Sequence, residues 1–81
     1  MYYVYCLQCC DGYYIGSTHD LKERFTRHSN GHVPATANRR PVSLAWYFAL
    51  HDKQVAFLFE KYLKSGSGRA FIKKHLASPL E

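Results

Sequence analysis

The sequence predicts a small α+β domain with elements in the order β-β-α-β-α-α. Three observations predict it. Residues 2–8 and 13–18 are dense in aromatic and β-branched side chains and flank an Asp11-Gly12 turn. Two later segments, around residues 21–29 and 53–64, carry apolar residues at helical spacing and each follows an aspartate suited to capping. At 81 residues there is room for one core and no second. The domain is expected over residues 1–77, with 78–81 as a short tail containing Pro79.

The elements follow in order. Tyr2 to Gln8 reads as a strand that places Tyr3 and Tyr5 on one face and Tyr2 on the other. Tyr13 to Thr18 is the return strand of the hairpin. Asp20 caps a helix over about Leu21–Ser29, with Glu23 three residues on in a capping-box arrangement, and Asn30-Gly31 ends it. Residues 31–42, with Gly31, Pro34 and Pro41, read as a loop. Ser43 to Leu50 is an uncharged run of strand length, expected to be buried. Asp52 caps a helix over about Lys53–Lys64 whose inward stripe is Val55, Leu58, Phe59, Tyr62 and Leu63. Ser65-Gly66-Ser67-Gly68 breaks it, and a last short helix over about Arg69–Leu76 packs through Phe71, Ile72 and Leu76.

Eleven Lys and Arg against six Asp and Glu give a net charge of +5. The excess is concentrated in residues 21–40 and 61–81, each with five basic residues and one acidic. Two basic segments around a near-neutral middle suggest a polyanion, nucleic acid first and an anionic membrane second. No stretch approaches the roughly 20 apolar residues that span a bilayer. No basic start precedes an apolar run, so no signal peptide is expected. Cys6, Cys9 and Cys10 are odd in number and clustered, which is no disulfide framework. Cys6 and Cys9 form a C-x-x-C, but nothing pairs with it to complete a zinc site. They read as reduced, partly buried thiols of a cytoplasmic protein.

Four features break the pattern of their elements. The inward stripe of the first helix is Leu21, Arg24, Phe25 and His28, so two of four positions are basic. Either Arg24 and His28 line the rim of a cleft, or the helix is rotated and both are solvated. Glu60 sits at the edge of the second stripe, where it forms a surface i, i+4 pair with Lys64 or holds Mg²⁺ together with phosphate and water. Five of seven tyrosines fall in residues 1–14, of which Tyr2 and Tyr13 read as packing. Gly66-Ser67-Gly68-Arg69 is either a phosphate-binding helix start or a plain helix–helix connection.

These residues form an ordered set. Tyr3-Val4-Tyr5, Tyr14-Ile15-Gly16, Arg24, His28 and Glu60 together resemble the GIY-YIG nuclease domain family. The resemblance runs from about Tyr2 to Leu76. It is nearest to the short single-domain bacterial members, through Arg39-Arg40-Pro41 and Glu60-Lys61-Tyr62-Leu63-Lys64. Tyr3 stands where the first tripeptide of the family carries glycine. The resemblance implies a three-stranded antiparallel sheet flanked by helices. It implies a divalent metal, Mg²⁺ first and Mn²⁺ second, held by Glu60, and Tyr5, Tyr14, Arg24 and His28 gathered with it in one cleft around a scissile phosphate. Tyr5 is the favoured general base, with Tyr14 orienting the water or sharing that role. Arg24 suits the non-bridging oxygens, and His28 a hydrogen bond to the tyrosine or the phosphate.

Lys22, Arg27, Arg39, Arg40, Lys64 and Arg69 are candidates for tracking the nucleic-acid backbone, giving affinity without sequence reading. The expected function is therefore a metal-dependent endonuclease on DNA, structure-selective or sequence-indifferent, in repair or processing. The competing readings are a non-catalytic nucleic-acid-binding module and a nuclease subunit that needs a protein partner.

Overall fold

A computed structural model describes residues 1–76 of the chain; the tail expected at 78–81 lies outside them. The strands are β1 (Tyr2–Cys9), β2 (Gly12–Thr18) and β3 (Ser43–Leu50), and the helices are α1 (Leu21–Ser29), α2 (Lys53–Leu63) and α3 (Gly66–His75). A short 3₁₀ turn at Ala37–Arg39 interrupts the loop after α1. The sheet is antiparallel in the order β2-β1-β3, so the first strand is central. Tyr5 pairs with Gly16 on one side and Tyr47 on the other.

A central strand is covered on both faces, and β1 accordingly buries four successive residues, Val4 to Leu7. Alternation divides them. Val4 and Cys6 pack with Ile15, Ala56 and Leu63 under α2 and α3. Tyr5, Leu7 and Cys9 pack with Tyr14, Leu21, Phe25 and Val42 under α1 and the following loop. Helices thus sandwich the sheet. Cys6 and Cys9 fall in different clusters, so the C-x-x-C never presents two thiols to one point. Burial pushes Cys6 up to about 12, and raises Cys9 as well, which leaves both as inert thiols.

The helix starts obey local chemistry. Asp20 accepts from the Glu23 amide at 3.0 Å, and Asp52 from the amides of Gln54 and Val55. Gly31, at φ 77°, turns the chain out of α1, and the Arg40 guanidinium packs where its Cβ would be.

Three expectations are corrected. The α3 helix begins at Gly66, not Arg69, because Ser65 caps it by accepting from the Gly68 amide. Gly68 is no helix breaker: a Cβ there would run into the Tyr62 carbonyl and the Leu63 backbone, so the residue sets how closely α3 approaches α2. The buried face of α2 is Ala56 and Leu63 with Phe59 and Glu60 half-buried, while Val55, Leu58 and Tyr62 stay largely exposed. The β3 strand is an edge rather than a buried strand, with Tyr47 exposed.

Candidate active site

The stripe of α1 faces inward as its spacing predicts, which removes the rotated-helix reading. His28 is wholly buried rather than on a rim. Its Nε2 lies 2.9 Å from the Tyr5 hydroxyl and its Nδ1 lies 2.6 Å from Thr36 Oγ1, a residue equally buried. Both ring nitrogens are therefore satisfied inside the protein. Burial, then Arg24 and Arg27, lower the pKa of His28, so the ring is neutral near pH 7. Tyr14 closes the group, with ring centroids 6.5 Å from Tyr5 and 5.3 Å from His28.

Tyr5 is pushed up to about 12, by burial first and then by Tyr14, while the neighbouring Arg24 pulls it down; Glu60 is near enough to add to the rise. Gly16 makes this arrangement possible. A Cβ on it would stand 2.7 Å from Tyr5 Cζ, so only glycine leaves the phenol its place. The requirement for glycine in Tyr14-Ile15-Gly16 is thus a requirement for space beneath a ring.

Arg24 is the unsatisfied member. Its Nε is buried and has no hydrogen-bond partner. A buried charged donor left unpaired is costly, and such a group calls for an anion. Arg24 opens onto a cleft of about 420 Å³ whose walls also include Ser17 of β2 and Lys53, Ala56 and Phe57 of α2. Helices from opposite faces of the sheet meet in this one cleft, at the free edge of β2.

Of the five expected site residues only Arg24 lines this cleft; Glu60, on α2, reaches its wall through Ser17. Its Oε1 accepts from the Ser17 hydroxyl at 2.6 Å and its Oε2 from the Lys64 ammonium at 2.7 Å. The i, i+4 pair with Lys64 is therefore present. Among the described residues no group of three or more His, Cys, Asp or Glu stands together. A cation at Glu60 would complete its shell from water and phosphate oxygens, the habit of Mg²⁺, and an ammonium already stands against this carboxylate. The donor set fits a divalent cation of that kind.

The proposed backbone-tracking residues divide. Lys22 and Arg27 are exposed on α1. Arg39 binds Asp11 at 2.6 Å and the Tyr13 carbonyl at 3.2 Å, which ties its loop to the hairpin. Arg40 binds the Ala37 carbonyl. Lys64 is held by Glu60, and Arg69 stands beside Lys64 on the rim of a second hollow. Nothing in the residue pattern marks Thr36 or Ser17. Ser17 adjoins the Tyr14-Ile15-Gly16 element, but Thr36 sits in an aperiodic loop and only tertiary structure brings it to His28.

A hydroxyl on a buried imidazole, a guanidinium with an unpaired Nε and a nearby carboxylate are equipment suited to phosphate-ester chemistry. Comparison with known proteins agrees. The family model described as the GIY-YIG catalytic domain matches residues 1–75. A UPF0213 protein of Lacticaseibacillus paracasei is 42% identical over 65 residues, covering 78% of this chain and 73% of that one. A UPF0213 protein of Streptococcus pyogenes serotype M5 is 37% identical over 79 residues, covering 90% and 86%. No solved structure matches. The chain belongs to the GIY-YIG family. That is a nuclease family whose members generally use divalent metals, so the substrate class is nucleic acid. No helix among the described residues is long and apolar enough to cross a membrane.

Proposed function

We propose that this chain is a metal-dependent endonuclease that hydrolyses phosphodiester bonds in DNA without reading sequence, in repair or processing. The observation that carries the proposal is the unpartnered Arg24 Nε beside the Tyr5–His28–Thr36 hydrogen-bonded chain. Glu60 is the residue proposed to hold the cation, which would supply charge stabilisation at the phosphoryl oxygens.

The residues divide the work. Arg24 holds a non-bridging oxygen of the scissile phosphate. Tyr5 accepts the proton of the attacking water. A phenol near pKa 12 does not do this unaided, so its own proton passes to His28 Nε2 in the same step. The Nδ1–H of His28 donates to Thr36 Oγ1 throughout and fixes the ring. The water oxygen bonds to phosphorus as the bond to the leaving oxygen breaks; the leaving oxygen takes a proton from solvent, and His28 then releases the one it received. Tyr14 orients the water. Lys22 and Arg27 engage the flanking backbone.

The test is incubation of the purified chain with single-stranded, duplex, nicked and branched DNA, and with RNA, in Mg²⁺, Mn²⁺ or EDTA. Cleavage of DNA that needs the metal is the expected result. Binding without cleavage on every substrate would leave only a binding module.

A further inference from the structure

The candidate site leaves a second concavity unused. Between α3 and β2 lies a hollow of about 500 Å³, within the ordinary range of small-ligand sites. Its apolar surface includes Ile15 and Ile72, its wall includes Tyr13, and Lys64, Arg69 and Lys73 stand around it. Tyr13 was expected to pack; it is instead 50% exposed. Position along the strand connects this hollow to the site. Ser17, Ile15 and Tyr13 share one face of β2, spaced about 7 Å apart. Ser17 holds Glu60, and the next two positions lead into the hollow. Lys64 belongs to both places, with its ammonium on Glu60 and its side chain lining the hollow.

We infer that this hollow holds an unpaired nucleobase next to the scissile phosphate, so that the substrate class is DNA with an unstacked nucleotide at that position. The inference rests on the endonuclease reading for the place of the scissile phosphate. Charge and shape choose the occupant. An apolar space with an aromatic wall takes the flat face of a base, and three surrounding cations take the phosphates on either side. A base inside an intact duplex cannot enter without leaving its stack and its partner, which costs a few kcal/mol. Single strands, gaps and flaps present such a base at no such cost. Because every base has an apolar face, occupancy carries no demand on sequence.

The experiment measures binding in EDTA, where nothing is cleaved. The full chain is titrated into a single-stranded oligonucleotide carrying 2-aminopurine and into the matched perfect duplex, at one ionic strength. Tighter binding of the single strand is expected, with a change in 2-aminopurine emission. Tyr13→Ala should weaken single-strand binding about 5- to 100-fold, the range for loss of one stacked base. Tyr13→Phe should keep it, and Lys73→Glu should weaken single strand and duplex alike. Circular dichroism melting checks that the variants fold. Equal affinity for single strand and duplex, or Tyr13→Ala binding within twofold of wild type, overturns the inference. Failure of the nuclease reading looks different: the binding pattern holds while Mg²⁺ and Mn²⁺ yield no product.

Discussion

In the proposed mechanism a tyrosine with its pKa near 12 acts as a base only if something receives its proton, and the role is given to His28 because its Nε2 lies 2.9 Å from the Tyr5 hydroxyl. The same histidine makes stability depend on pH. Its pKa is lowered in the folded chain, by burial first, and returns to about 6.5 on unfolding. Below that value the unfolded chain takes up a proton that the folded chain refuses. Stability is therefore full above about pH 7 and falls as the pH drops toward 5. Urea unfolding between pH 5 and 7.5 checks this: the wild type should lose stability over the window, and His28→Gln should lose less. Arg24, His28 and Glu60 were legible in the sequence because each breaks the polarity pattern of its helix. Thr36 was not, since a threonine in a loop breaks no pattern, and its hydrogen bond exists only once the loop folds over α1.

Elements with turn or cap signals at both ends have the bounds that the sequence predicts. The Leu21–Ser29 helix has Asp20 and Gly31, and the Ser43–Leu50 strand has a proline before it and a capping aspartate after it. The start of α3 was missed because two glycines look like a break, while here Ser65 supplies the cap and Gly68 supplies clearance. Gly68→Ala should therefore destabilise the fold by roughly 1–3 kcal/mol, the usual cost of overpacking, despite the better helix propensity of alanine. Thermal melting showing a neutral or stabilised variant would contradict the close α2–α3 approach. The face of α2 was misassigned for a related reason. Apolar residues occupy more than half of its circumference, so periodicity alone did not choose among them. Val55→Lys and Leu58→Lys, on the exposed side, should each change stability by no more than about 0.5 kcal/mol. A large loss in either would restore the stripe read from spacing.

Across the whole molecule, the two basic segments lie on opposite faces of the sheet. The α1 helix brings Lys22 and Arg27 from one face of the sheet, while α3 brings Arg69 and Lys73 from the other. Topology keeps them apart: β1 runs through the middle of the sheet, α1 covers one of its faces and α2 and α3 cover the other. If about three to five phosphates are contacted, log K against log salt on duplex DNA should have a slope of roughly −3 to −5. Arg39, tied to Asp11 and Tyr13, should contribute less to that slope than Arg27, which a filter-binding series on Arg39→Gln and Arg27→Gln would read directly.

The central claim is that Tyr5, bonded to His28 and flanked by Arg24, moves the proton in phosphodiester cleavage. Tyr5→Phe tests it most directly, since it removes one hydroxyl, almost no volume and no positive charge. Single-turnover cleavage of the best substrate in Mg²⁺ should fall about 10²–10⁴-fold, with DNA affinity unchanged within about twofold for a group that carries no charge. Cleavage by Tyr5→Phe at the wild-type rate would contradict the account.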